Sequence, residues 1–124
     1  FIIYRMNTDD LKSRTKKFAL RVMNLIDALP DNTKARVLAN QLMRSATSVG
    51  ANYRAAARGR SRKEFISKIG ISLEECDESA YWLELISDGG LLPAPKVEPL
   101  QKEADELCAI LFTIQRTTRE NDKS

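Results

Sequence analysis

Four times along this chain, mostly apolar residues return at alternating steps of four and three. Leu11, Thr15, Phe18, Val22, Leu25 and Leu29 make the first stripe, and Leu38, Leu42, Ser45, Val49, Asn52 and Ala56 the second. Ile66, Ile69, Leu73, Cys76, Ala80 and Leu83 make the third, and Leu100, Ala104, Leu107, Leu111, Ile114 and Thr118 the fourth. The period is that of an amphipathic α-helix, and no run of β-branched alternation competes with it. Four helices are expected, each with one face to bury.

The punctuation between the stripes agrees. In "LPDNT", Pro30 ends the first helix, and Asp31, Asn32 or Thr33 can cap the second. In "RGRSRKEF", Gly59 is a helix stop, and Ser61 with Glu64 three residues on fits a capping box. "SDGGLLPAPKVEP" closes the third helix at Gly89 and places Pro99 in the first turn of the fourth. Two short connections and one longer one give an all-α fold, an antiparallel up-down-up-down four-helix bundle. A chain of 124 residues suits one such domain. The bundle is expected over 8–119, with 1–7 as an N-terminal extension and 120–124 as a flexible tail.

The second helix is built from small residues. Ala46 shares a face with Gly50, and Ala51 with Ala55. A mid-helix glycine costs about 1 kcal/mol relative to alanine, so a close neighbouring backbone must compensate. "SVGAN" lacks the glycine spacing and the lysine of a phosphate-binding loop.

Charge is distributed unevenly. The formal net charge is only +3, yet from Lys34 to Lys68 nine cations face one acid, and from Ile69 to Asp88 six acids face no base. If helices two and three fold back on each other, Arg44 meets Glu75, Asp77 or Glu78. No such partners serve the cations near the turn: Arg54, Arg58, Arg60, Arg62, Lys63 and Lys68. These are the first candidates for binding nucleic acid, RNA or DNA, through phosphates. Lys16, Lys17 and Arg21 of helix one come next. Tyr53 falls beside the apolar stripe and is expected in the core. No base-reading motif accompanies the cations, so strong sequence specificity is not expected.

Catalysis is not expected. The chain has no histidine, the commonest general base and metal ligand, and Ser45, Ser48 and Ser61 have no base to activate them. No cofactor and no metal site is expected. Cys76 and Cys108 both fall on apolar stripes and read as free buried thiols, which suits a cytoplasmic protein. The longest apolar runs are too short to cross a membrane, and "FIIY" is too short for a signal peptide.

The spaced residues Arg44-Ser45-Ala46, Ser48-Val49, Asn52-Tyr53, Ser61, Phe65, Ser72-Leu73, Glu75 and Trp82-Leu83 form a pattern over Leu42 to Ile86. With "KKFALRVMNLIDALP" in helix one, this pattern resembles the bacterial four-helix-bundle family encoded in intervening sequences of large-subunit (23S) ribosomal RNA genes. Many of its members carry a Glu after the Asn-aromatic pair, where this chain has Ala55. The resemblance implies an up-down subunit that assembles into a ring-like homopentamer. It also implies a relation to the accessory proteins of diversity-generating retroelements, which are basic pentamers that bind nucleic acid and a reverse transcriptase.

The leading expectation is a non-enzymatic, oligomeric bundle that binds nucleic acid through basic surface. A structural or adapter protein whose basic surface binds an acidic protein is the alternative, and a bundle with a small-molecule core pocket a weaker third. Ile71, Trp82 and Leu85 lie off the third stripe, which is more apolar surface than one bundle core needs and favours self-association.

Overall fold

A computed structural model of the chain describes residues 2–123, with side chains described over 8–121. Phe1 and Ser124, and the remaining side chains of the extension and tail expected at 1–7 and 120–124, lie outside the described residues. The chain forms α1 (Ile2–Asp27), α2 (Thr33–Ala57), α3 (Arg62–Asp88) and α4 (Ala94–Lys123). Among the described residues there is no strand.

Side-chain partners give the helix directions. Ser45 of α2 meets Ser79 of α3, and Val49 meets Ser72. Between α3 and α4, Cys76 reaches Ala104 and Gln115 reaches Ile66. Between α1 and α2, Thr15 touches Gly50 and Thr8 bonds Tyr53. In each pair one residue number rises as the other falls, so the neighbours are antiparallel. The four helices make an up-down-up-down bundle with α2 and α3 in the most extensive contact.

The core follows the stripes closely in α1 and α4. Phe18, Val22, Leu107 and Leu111 are fully buried, and burying a side chain of this size is worth roughly 1.5–3 kcal/mol. In α2, Tyr53 joins the core as expected, while Asn52 is only half-buried and donates Nδ2 to the Ser48 carbonyl at 2.9 Å.

The third helix is rotated from its expected stripe. Its buried face runs Phe65, Ile69, Ser72, Cys76, Ser79, Leu83 and Ile86, and Ile66, Leu73 and Ala80 fall to the flank. Two serines at the centre explain the turn. Ser72 donates to the Val49 carbonyl at 2.7 Å, and the Ser79 and Ser45 hydroxyls lie 2.9 Å apart. Small side chains with satisfied hydroxyls can be buried at little cost, and they let α2 and α3 approach closely.

Asn32 caps α2, accepting from the Ala35 amide at 2.9 Å, and Ser61 caps α3, accepting from Glu64 at 3.0 Å. The other half of the expected box is displaced: the Glu64 carboxylate meets the Arg60 amide at 3.4 Å. Helix α3 closes at Gly89 as expected, and the left-handed residue that follows is Gly90 (φ 71°). The Leu91 amide reaches back to Ile86 and that of Gly90 to Ser87, the paired bonds of a Schellman stop.

Helix α4 begins earlier than expected, so Pro99 lies inside it and not in its first turn. Burial of Val97 and Leu100 favours the earlier start. Pro99 lacks an amide to bond Pro95, but both prolines are exposed and water can serve that carbonyl.

Candidate nucleic-acid interface

The arginines divide by whether they have acid partners. Arg44 donates to Glu75 at 2.7 Å and also to Glu78, as the charge reversal between α2 and α3 led one to expect. Asp77 takes no part in that pair; it neighbours Cys108 instead. The bonds hold the Glu78 carboxyl below its usual range and the Arg44 guanidinium above its own. Arg14 forks onto Glu103 with both bonds at 2.8 Å and lies 3.4 Å from Glu106, and Arg36 pairs with Asp31. By contrast, Arg54, Arg58, Arg60, Lys63 and Lys68 make no ion pair among the described residues.

Local structure puts most of these at one end. Arg54 is in the last turn of α2, Arg58 caps its C-terminus, and Arg60 stands in the turn. Arg62 and Lys63 open α3. All five are exposed, whereas Lys68 is half-buried. Arg62 is tied down: its guanidinium donates to the Asn121 carbonyl at 3.3 Å. That bond shows that α4 returns its C-terminus to the basic end, bringing exposed Arg116 and Arg119 with it. The up-down topology implies their arrival, but charge counts along α2 and α3 alone miss it. Lys68 shares the α2-facing side of α3 with Ser72, Glu75 and Ser79, so it stands apart from the turn cations.

Helix α1 divides its cations between two sides. Lys16 faces α2, where Thr15, Lys16, Ala19, Thr47, Gly50, Ala51 and Arg54 line a cleft of about 290 Å³. Lys17 and Arg21 turn toward α4, where their charges help Arg14 hold the Glu103 carboxyl low. Arg21 also lines a second cleft, of about 310 Å³, with Asn24, Leu25, Ala28, Lys96, Pro99 and Leu100. The nine candidate cations therefore form three groups and not one patch. The facing of Lys16 and Arg54 depends on how α1 and α2 are rotated about their axes, which the stripes leave open.

Cys76 is buried and Cys108 half-buried, and both are free thiols. They neighbour each other across α3 and α4, and that hydrogen bond, with burial, pushes the Cys108 thiol well above its usual range. Among the described residues no group of His, Cys, Asp and Glu side chains is placed to hold a metal ion, and no helix is long and apolar enough to cross a membrane.

A family model described as 23S rRNA-intervening sequence protein matches residues 9–113, which span α1 to α3 and most of α4. The chain belongs to this family. One solved structure similar to this intervening-sequence protein is a protein of unknown function from the S23 ribosomal protein family of Bacteroides thetaiotaomicron. It is 34% identical, superposes with a TM-score of 0.81, and is matched over 89% of this chain and 98% of its own. No curated protein matches.

Proposed function

We propose that this intervening-sequence protein is a non-enzymatic, cytoplasmic, homo-oligomeric bundle that binds RNA or DNA through its basic surface without strong sequence preference. The observation that carries this reading is the division of the cations. Arg14, Arg36 and Arg44 are taken up by carboxylates, whereas Arg54, Arg58, Arg60 and Lys63 stand exposed at one end with no ion pair among the described residues. Unpaired cations held on rigid helix ends attract polyanions and offer them fixed phosphate contacts. Side chains exposed on α3 and α4 support self-association: Ile71, Tyr81 and Phe112. A ring of five, as the family resemblance implies, repeats the basic end and adds avidity without new chemistry.

The test is a filter-binding titration of the wild type and a variant with Arg58, Arg60, Arg62 and Lys63 changed to Gln, at several salt concentrations. The variant is expected to bind every sequence more weakly. Its salt dependence should be flatter, in log–log slope, by about 0.9 for each phosphate no longer neutralised on duplex DNA and by about 0.7 on single strands. Wild type that binds no nucleic acid at low salt would reject the reading and favour an acidic protein partner.

A further inference from the structure

We propose that the cleft between α1 and α2 seats the sugar-phosphate backbone of single-stranded nucleic acid, held from opposite walls by Lys16 and Arg54. This rests on the nucleic-acid reading above and narrows it to one strand and one place. Both cations are exposed and neither has an ion pair among the described residues. The cleft has no acidic side chain in its lining. Arginine offers a planar fork for phosphate oxygens and lysine a movable point charge, so each wall can hold a phosphate of its own on a strand that passes between them.

Shape points to a single strand. Each wall is one helix and the floor is the contact of Gly50 with Thr15, so the opening is no wider than the groove between two packed helices, whose axes lie about 8–10 Å apart. A duplex is stiff, convex and wider than this groove, and it could touch only the rims. A flexible strand can lie along the floor. Lys12 stands one helical turn beyond Lys16, and Arg58 one turn beyond Arg54, both toward the basic end. The two walls thus lead a strand from the cleft onto the turn cations. No aromatic ring lines the cleft, and Tyr53 is buried in the core. Without a stacking platform the bases are not gripped, and contact through the backbone tolerates any sequence.

The experiment measures fluorescence anisotropy with oligo(U), oligo(dT) and a DNA duplex of equal length. The proteins are wild type, the double variant Lys16→Gln/Arg54→Gln, and Ala51→Leu. Ala51 is an exposed residue of the lining, and leucine is a good helix former, so this substitution fills the cleft while keeping every charge. Circular-dichroism melting checks each fold. If the double variant is unfolded, each single substitution carries the same expectation with half the change in slope. The double variant should bind single strands about tenfold more weakly and flatten the salt slope by about 1.4, at 0.7 per phosphate. Ala51→Leu should weaken single strands several-fold, and in both variants duplex affinity should fall far less than single-strand affinity. Equal losses on oligo(U) and oligo(dT) support a shared backbone contact, and a loss on one alone supports the cleft and assigns the sugar it accepts. Equal losses on duplex overturn the single-strand assignment. Wild-type binding by both variants overturns the cleft while the basic end stands, and a wild type that binds none of the probes overturns both.

Discussion

The side chain of Thr15 lies directly against the α-carbon of Gly50. A Cβ at position 50 would come within 3.1 Å of Thr15 Oγ1 and 3.3 Å of its Cβ. Thr15 cannot easily give way, because it is fully buried and its hydroxyl donates to the Leu11 carbonyl at 2.7 Å. Gly50→Leu should therefore destabilise the bundle by about 1–3 kcal/mol, although leucine is the better helix former by roughly 1 kcal/mol. Thermal melting checks this, and a variant as stable as wild type would sink the close-packing account of α2. Gly50→Ala should be tolerated better in a Thr15→Ala background than alone.

Gly70 makes the opposite case. A Cβ there meets only the Gln115 amide nitrogen, at 2.8 Å, and that flexible side chain holds a long 3.5 Å bond to the Ile66 carbonyl. Gly70→Ala should stabilise by about 0.5–1 kcal/mol through helix propensity and reduced chain entropy. A urea midpoint lower than wild type would show that Gln115 cannot move aside.

The Arg14–Glu103 fork gives a pH dependence with a definite sign. Arg14 holds the Glu103 carboxyl below its usual range in the fold. Its contribution is then complete above the unfolded value of about 4.3 and is lost as pH falls through the lowered folded value. Arg14→Gln should cost up to about 1 kcal/mol at neutral pH. It should also make stability fall less steeply below about pH 4. Denaturant titrations at pH 7, 5, 4 and 3 test both, and parallel curves for the two proteins would refute the coupling.

Light scattering at micromolar concentration should give a multiple of the 14.0 kDa chain mass, with five copies expected. Ile71 is 38% exposed, Tyr81 52% and Phe112 51%, and burial of such side chains between copies would account for them. A monomer mass would leave these residues as scattered surface apolars and remove the avidity from the functional reading.

The four helices were legible because period and punctuation are local properties. The Arg44 pairing was legible because an abrupt change of charge sign, folded about a known turn, permits few registers. The rotation of α3 was not. Apolar periodicity counts Ser72 and Ser79 as solvent residues, whereas Val49 and Ser45 across the interface supply their hydrogen-bond partners. Pro99 misled for a related reason: the pull of Val97 toward the core outweighs one missing exposed backbone bond. At the candidate site, the end-on cluster could be read from composition near the turn. The engagement of Arg62 by Asn121 and the facing of Lys16 and Arg54 could not, since both depend on contacts between helices distant in sequence.

The hydroxyl contacts between α2 and α3 act as an index mark for the hairpin. Sliding one helix by a turn would strand Ser72 in an apolar setting at about 1–3 kcal/mol for a buried group left unpaired, would break the Ser45–Ser79 contact, and would part Arg44 from its carboxylates. Alignment is thus stored along the shafts of the helices and not in the residues that join them. In the link, Arg58 and Arg60 can change charge while the shafts stay in step, with Ser61 kept as the cap of α3. The most basic part of the molecule is then also the part that substitution can reshape with the least disturbance to the rest.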